Sequence, residues 1–171
     1  SLTLSASTVA PGDTVACTAT AEDGDGGTAS GSATVEVENT EPVIDSVSIS
    51  PSSGQIGDSL TCIASASDED GGTPSTSYAW TNTTEGTSLG STQSYTLAEG
   101  EVAPGDTLTC TATATDGDGG TDTASATATV ENTAPVVSDV TVSPSSGVTT
   151  STTLTCSATA TDVDGETPTM S

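Results

Sequence analysis

Gly105-Asp106-Thr107-Leu108-Thr109-Cys110-Thr111-Ala112-Thr113-Ala114-Thr115, closed by Asp116-Gly117-Asp118-Gly119-Gly120, decides the fold of this chain. Leu108, Cys110, Ala112 and Ala114 alternate with threonines, and a period of two puts the small apolar side chains on one face of a strand and the hydroxyls on the other. The unit recurs. Gly12-Asp13-Thr14-Val15-Ala16-Cys17 and Gly57-Asp58-Ser59-Leu60-Thr61-Cys62 are close copies, and Thr153-Leu154-Thr155-Cys156 is a looser fourth without the Gly-Asp. The other three copies also lead into acidic loops: Asp23-Gly24-Asp25-Gly26-Gly27, Asp68-Glu69-Asp70-Gly71-Gly72 and Asp162-Val163-Asp164-Gly165-Glu166. Self-similarity of this kind is the signature of a repeat architecture.

The spacing of the copies shows that the true period holds two of them. Cys17 to Cys110 is 93 residues and Cys62 to Cys156 is 94, whereas neighbouring cysteines are 45, 48 and 46 apart. Cys17 and Cys110 follow Val-Ala-Pro-Gly-Asp and lead to Val-Glu-Asn-Thr-x-Pro, at Val37 to Pro42 and Val130 to Pro135. Cys62 and Cys156 instead follow a Ser-Pro-Ser-Ser-Gly turn. One domain therefore holds one copy of each kind. Residues 42–133 are expected to be a complete domain, 1–41 the C-terminal part of one and 134–171 the N-terminal part of another. Such incomplete parts call for completion by flanking sequence or by a neighbouring chain, although joining the two would still lack the equivalent of Tyr78 to Gln93.

Further strands follow from the same alternation. Val43 to Ser50, Leu60 to Ala66, Tyr95 to Leu97 and Ala124 to Val130 read as strands, and no segment carries a helical period. Pro51-Ser52-Ser53-Gly54, Asp70-Gly71-Gly72 and Pro104-Gly105-Asp106 read as turns.

With Cys62, Trp80 and Cys110 falling in that order, the chain resembles the immunoglobulin-like tandem repeats of large bacterial secreted and cell-surface proteins. The resemblance implies an all-β fold of β-sandwich domains placed end to end, with Cys62, Trp80 and Cys110 on strands B, C and F. It further implies a Cys62–Cys110 disulfide packed on a core Trp80, with buried free thiols as the alternative. Cys17 and Cys156 belong to the incomplete parts and are expected to lack their partners within this stretch. Disulfides persist in oxidising compartments, which places the protein at the cell surface or outside the cell.

Charge bounds the partners. There are 24 acidic residues and no Lys, Arg or His, a formal charge of −24. Nucleic acid and anionic lipid would be repelled, so neither a nucleic-acid partner nor direct membrane contact is expected. Adjacent repeats or neighbouring copies of the same protein are the expected partners. General acid–base work by His or Lys is excluded by composition, no Ser has a base to activate it, and an enzyme is not expected.

In the sandwich that the resemblance implies, the loops after strands B and F meet the incoming linker at one pole. That gathers Asp68, Asp70, Asp116, Asp118 and Asp122 toward Glu38, Asn39 and Glu41. Carboxylates alternating with glycine can converge on Ca²⁺, which takes six to eight oxygens of this type. The competing reading is that Asp-Gly pairs only make tight turns. Pro42 and Pro135 fix their own φ and hold the preceding residue extended, so the linkers should be short and stiff. Asn82-Thr83-Thr84 is an N-x-Thr sequon, which marks Asn82 for glycosylation. Two functions remain: a structural repeat of an extracellular filament or stalk, stiffened by disulfides and by calcium at its junctions, or an adhesin repeat engaging a receptor or glycan.

Overall fold

The computed structural model describes residues 1–170. The chain is all-β among these residues. In chain order the strands are β1 (Thr14–Glu22), β2 (Thr28–Glu36), β3 (Val43–Ser50), β4 (Ser53–Gly54), β5 (Ser59–Ser67), β6 (Ser75–Asn82), β7 (Thr87–Gly90), β8 (Ser94–Thr96), β9 (Thr107–Thr115), β10 (Thr121–Val130), β11 (Val136–Ser143) and β12 (Thr155–Thr161). They form a five-stranded sheet in the order β4-β10-β9-β6-β7, a three-stranded sheet β3-β5-β8, and two hairpins, β1-β2 and β11-β12.

The five- and three-stranded sheets make a β-sandwich-like arrangement joined by a disulfide. Cys62 of β5 bonds Cys110 of β9, with 6.4 Å between their Cα atoms. Along β9 the threonines are half-buried, and Leu108, Cys110, Ala112 and Ala114 are buried, as the alternation requires. Leu60, Trp80, Leu97, Val102, Ala128 and Val130 complete the core. On the opposite faces hydroxyls pair across strands, as in Thr111 with Ser125 at 2.9 Å and Thr83 with Thr109 at 2.6 Å.

By backbone proximity the chain divides into two compact units, one of Ser1–Val47, Ala64–Tyr78 and Thr111–Ser125, the other of Ser48–Ile63, Ala79–Cys110 and Ala126 onward. The first holds the β1-β2 hairpin, whose register runs from Thr14 opposite Glu36 to Glu22 opposite Thr28. The second holds the disulfide, Trp80 and the β11-β12 hairpin.

The Gly-Asp that introduces three of the four copies has a defined task. Gly12, Gly57 and Gly105 adopt φ of 82°, 96° and 91°, a region open to glycine at little cost. The following aspartate then turns its carboxylate back onto the amide three residues earlier: Ala10 N–H donates to Asp13, Gln55 to Asp58 and Ala103 to Asp106, each at 2.9 Å. The fourth copy keeps this clasp without the motif, because Thr149 N–H donates to the Thr152 hydroxyl at 2.8 Å.

In the copy that begins at Gly105 the clasp reaches the core. Asp106 and Asn82 are both buried, and Asn82 Nδ2 donates to Asp106 Oδ2 at 2.7 Å. Asn82 Oδ1 in turn accepts the amides of Thr84 and Glu85. Thus the nitrogen a glycan would use is inside the folded sandwich and already bonded. Replacing Asp106 by Ala leaves Asn82 Nδ2 and the Ala103 amide without their acceptor, and should cost about 2 kcal/mol. Asp58→Ala, at an exposed clasp, should cost less; chemical denaturation of both variants checks the order.

Tyr95 packs on Trp80 with ring centroids 6.1 Å apart, and its hydroxyl donates to Glu101 at 2.8 Å. Burial, reinforced by the Glu101 hydrogen bond and charge, pushes the phenol up to about 12 from 10.0. Because the folded state holds this proton more tightly, its stabilising effect is whole below pH 10 and is lost as pH rises toward 12. Ultraviolet titration should show one tyrosine ionising near pH 12 in the folded protein and near 10 in denaturant.

Candidate functional site

The acidic loops are built by their first aspartate. Asp23, Asp68, Asp116 and Asp162 each accept, through Oδ1, the amide two residues on, at 2.9 to 3.0 Å. Asp23 and Asp116 also accept the amides of Gly27 and Gly120 at 2.7 Å. Self-closure of this kind is the local hydrogen bonding for which Asp is favoured in turns.

The second aspartate of the loops after β5 and β12 reaches the linker instead. Asp70 Oδ2 accepts the Thr40 amide at 2.5 Å, and Asp164 Oδ2 accepts the Thr133 amide at 2.6 Å. Thr40 and Thr133 hold the same place in Val-Glu-Asn-Thr-x-Pro, so one contact occurs at both copies of that segment. A second contact also recurs: a Cβ built at Gly71 would lie 3.6 Å from Ala6 Cβ, and one at Gly165 3.4 Å from Glu99 Oε1. Residues 6 and 99 are equivalent positions of the repeat, as are 71 and 165.

At the first of these segments two further carboxylates are engaged. Asn39 Nδ2 donates to Asp116 Oδ2 at 3.0 Å, and the Ile44 amide donates to Asp122 Oδ2 at 2.8 Å. The Asn39 hydrogen bond, helped by the loop amides, holds the Asp116 carboxyl below the usual 3.8. The linker passes so close to Gly120 that a Cβ there would lie 2.9 Å from Asn39 Nδ2 and 3.2 Å from Glu41 Cα. Glycine at this position is a matter of space, whereas Gly119, at φ 94°, is a matter of backbone conformation.

Sequence reasoning expected these residues to converge, and part of the set does. Asp68, Asp70, Asp116 and Asp118 line one concavity of about 420 Å³ together with Ala10 and Pro11. Asn39 adjoins it through its bond to Asp116, Asp122 bonds the Ile44 amide instead, and the side chains of Glu38, Glu41 and Asp118 make no hydrogen bond among the described residues. Among the described residues no three acidic groups stand close enough to share one metal ion. With no Lys, Arg or His in the chain, the donors at this pole are amides and hydroxyls.

Sequence reasoning missed the linker threonine. Its task falls to the main-chain N–H, which every residue except proline has, so only the repetition of Asn-Thr-x-Pro marked the position. Asn82 carried a clearer signal, since it alternates with Trp80 on β6 and must share its inward face.

No family model matches the chain, and no curated protein matches it in sequence.

Proposed function

We propose that this chain is a run of immunoglobulin-like repeats, with a complete domain at 42–133, forming part of an extracellular filament or stalk. The observation that carries the reading is the main-chain contact repeated in two successive linkers, the Thr40 amide on Asp70 and the Thr133 amide on Asp164. A junction that recurs with the same donor and acceptor serves length and regular spacing. Recognition of a receptor or glycan by an adhesin repeat would call for a distinctive exposed surface. Of the three aromatics, Trp80 and Tyr95 are buried and Tyr78 is half-buried. The disulfide accords with an oxidising compartment. No helix among the described residues is long and apolar enough to cross a membrane.

Negative-stain imaging of the native assembly tests this reading. Thin threads of constant width are expected; discrete compact particles would overturn it.

Calcium is a separable part of the proposal. Asp68 Oδ2 and the carboxylates of Asp118, Glu38 and Glu41 accept no hydrogen bond among the described residues, and Ca²⁺ drawn to them would offset the repulsion among neighbouring carboxylates. The ion is expected to raise the melting temperature, with a gain of about 2.7 kcal/mol at one hundred times its dissociation constant. Melting curves in Ca²⁺ and in chelator at equal ionic strength decide it: superimposed curves mean that the amide contacts hold the junction without a metal.

A further inference from the structure

Six Asp-Gly pairs lie in the acidic loops: Asp23-Gly24, Asp25-Gly26, Asp70-Gly71, Asp116-Gly117, Asp118-Gly119 and Asp164-Gly165. This dipeptide carries a chemistry of its own. The glycine amide nitrogen can attack the aspartate Cγ and close a five-membered succinimide, because glycine has no side chain to block the approach and leaves the backbone free to rotate into it. The attack needs two freedoms: a carboxyl that can turn toward the following nitrogen, and a glycine with room to move.

The pairs divide on both counts. Asp70 and Asp164 are held by the Thr40 and Thr133 amides, and a Cβ built on the glycine that follows each would touch Ala6 or Glu99. Gly24 and Gly117 have open space, but Asp23 and Asp116 each accept two loop amides through Oδ1, from the residues two and four further on. Those bonds commit the carboxylate to nitrogens other than the next one. Asp116 is held further by Asn39, and its lowered pKa keeps it in the carboxylate form, whereas ring closure expels water from the protonated acid. Asp25 and Asp118 differ on every point. Both are exposed, both accept no hydrogen bond among the described residues, and nothing lies within 4 Å of a Cβ built at Gly26 or Gly119.

We propose that Asp118-Gly119 is a site of spontaneous isoaspartate formation in the folded protein, shared with its repeat counterpart Asp25-Gly26 and closed to the other four pairs. The site does not depend on the filament reading, since it needs only the loop between β9 and β10.

In the first step the N–Cγ bond forms, and the Gly119 amide hydrogen leaves with the Asp118 hydroxyl as water. Water then adds back to the ring at either carbonyl. Addition at Cγ restores aspartate; addition at the main-chain carbonyl leaves the chain running through Cβ and Cγ. No oxidant or other reactant is required. The carboxylate is retained, so the charge of −24 is unchanged, but the main chain gains one carbon between the Cα of residue 118 and the Gly119 nitrogen. Asp116 Oδ1 accepts the amides on either side of that insertion, Asp118 at 2.9 Å and Gly120 at 2.7 Å. Isomerisation should therefore open the loop closure that Asp116 makes.

The test incubates the whole chain for weeks in mildly acidic buffer below its melting temperature, beside a reduced and denatured sample. Both are then cut with a glutamate-specific protease, and the peptides are sequenced by electron-transfer fragmentation, which tells isoaspartate from aspartate. In the folded sample isoaspartate is expected at 118 and 25, about tenfold or more above the other four pairs, since loss of the attacking geometry costs at least that much. In the denatured sample all six should react. Asp118→Glu would need a six-membered ring, so in that variant only the signal at 25 should remain; its tryptophan fluorescence verifies that the sandwich is intact. Equal isoaspartate at all six pairs of the folded chain, or none at 118, would overturn the proposal. So would the same two-site pattern in the denatured chain, because the selection would then come from sequence and not from the fold.

Discussion

Reducing Cys62–Cys110, or replacing both cysteines by Ala, is expected to lower the stability of the central sandwich by about 4 kcal/mol. The bond closes a loop of 48 residues, and the entropy removed from the unfolded chain by a loop of that length has about this value. For a domain of this size each kcal/mol moves the midpoint by about 4–8 °C, so reduction should depress it by about 20 °C or more. The effect is large because the core is thin. Ala112, Ala114 and Ala128 fill buried positions with a single methyl each, and the chain has no Phe. Melting curves with and without a reductant check the value. A shift of only a few degrees would mean that the apolar core alone holds the sandwich together.

Trp80→Ala is expected to cost about 3–5 kcal/mol, the usual range for emptying a buried aromatic site. Trp80 is fully buried, stacks obliquely on Tyr95, and donates from Nε1 to the Thr92 carbonyl at 3.0 Å. The substitution therefore leaves a cavity beside Tyr95 and an unpaired carbonyl. Trp80→Phe separates the two losses, since it keeps most of the packing and removes only the donor; it should cost about 1–2 kcal/mol. Urea denaturation followed by circular dichroism suits both variants, and equal costs for the two would assign the role of Trp80 to its hydrogen bond.

Much of the fold is legible along the chain because the strands that carry the cysteines, β5 and β9, and their neighbour β10 alternate. Val43 to Ser50 forms β3 with the expected ends, and β10 begins only three residues before the expected Ala124. The strands that escaped notice are the ones without a pattern to read. β7 has a single large apolar residue, Leu89, and owes its place to pairing with β6. β4 lies in the Pro-Ser-Ser-Gly segment that reads as a turn, yet Ser53 and Gly54 pair in parallel with Thr129 and Val130. Contact with a strand some 75 residues away leaves no local trace.

The acidic site divides along the same line. That Asp-x-Asp-Gly loops follow each cysteine strand, that no basic residue can neutralise them, and that four cysteine-bearing segments recur in two kinds are properties of the sequence alone, since they depend on residue identity and spacing. Which carboxylate oxygens meet amide donors was decided by tertiary structure. Asp70 and Asp164 reach a linker about 30 residues before them, while the equivalent Asp25 and Asp118 of the other loop type do not, although all four sit in similar loops. Asn82 makes the same point from the core. Its sequon is a property of three adjacent residues, whereas its bond to Asp106 exists only once β6 and the turn before β9 have been packed together, where a buried amide must find an acceptor.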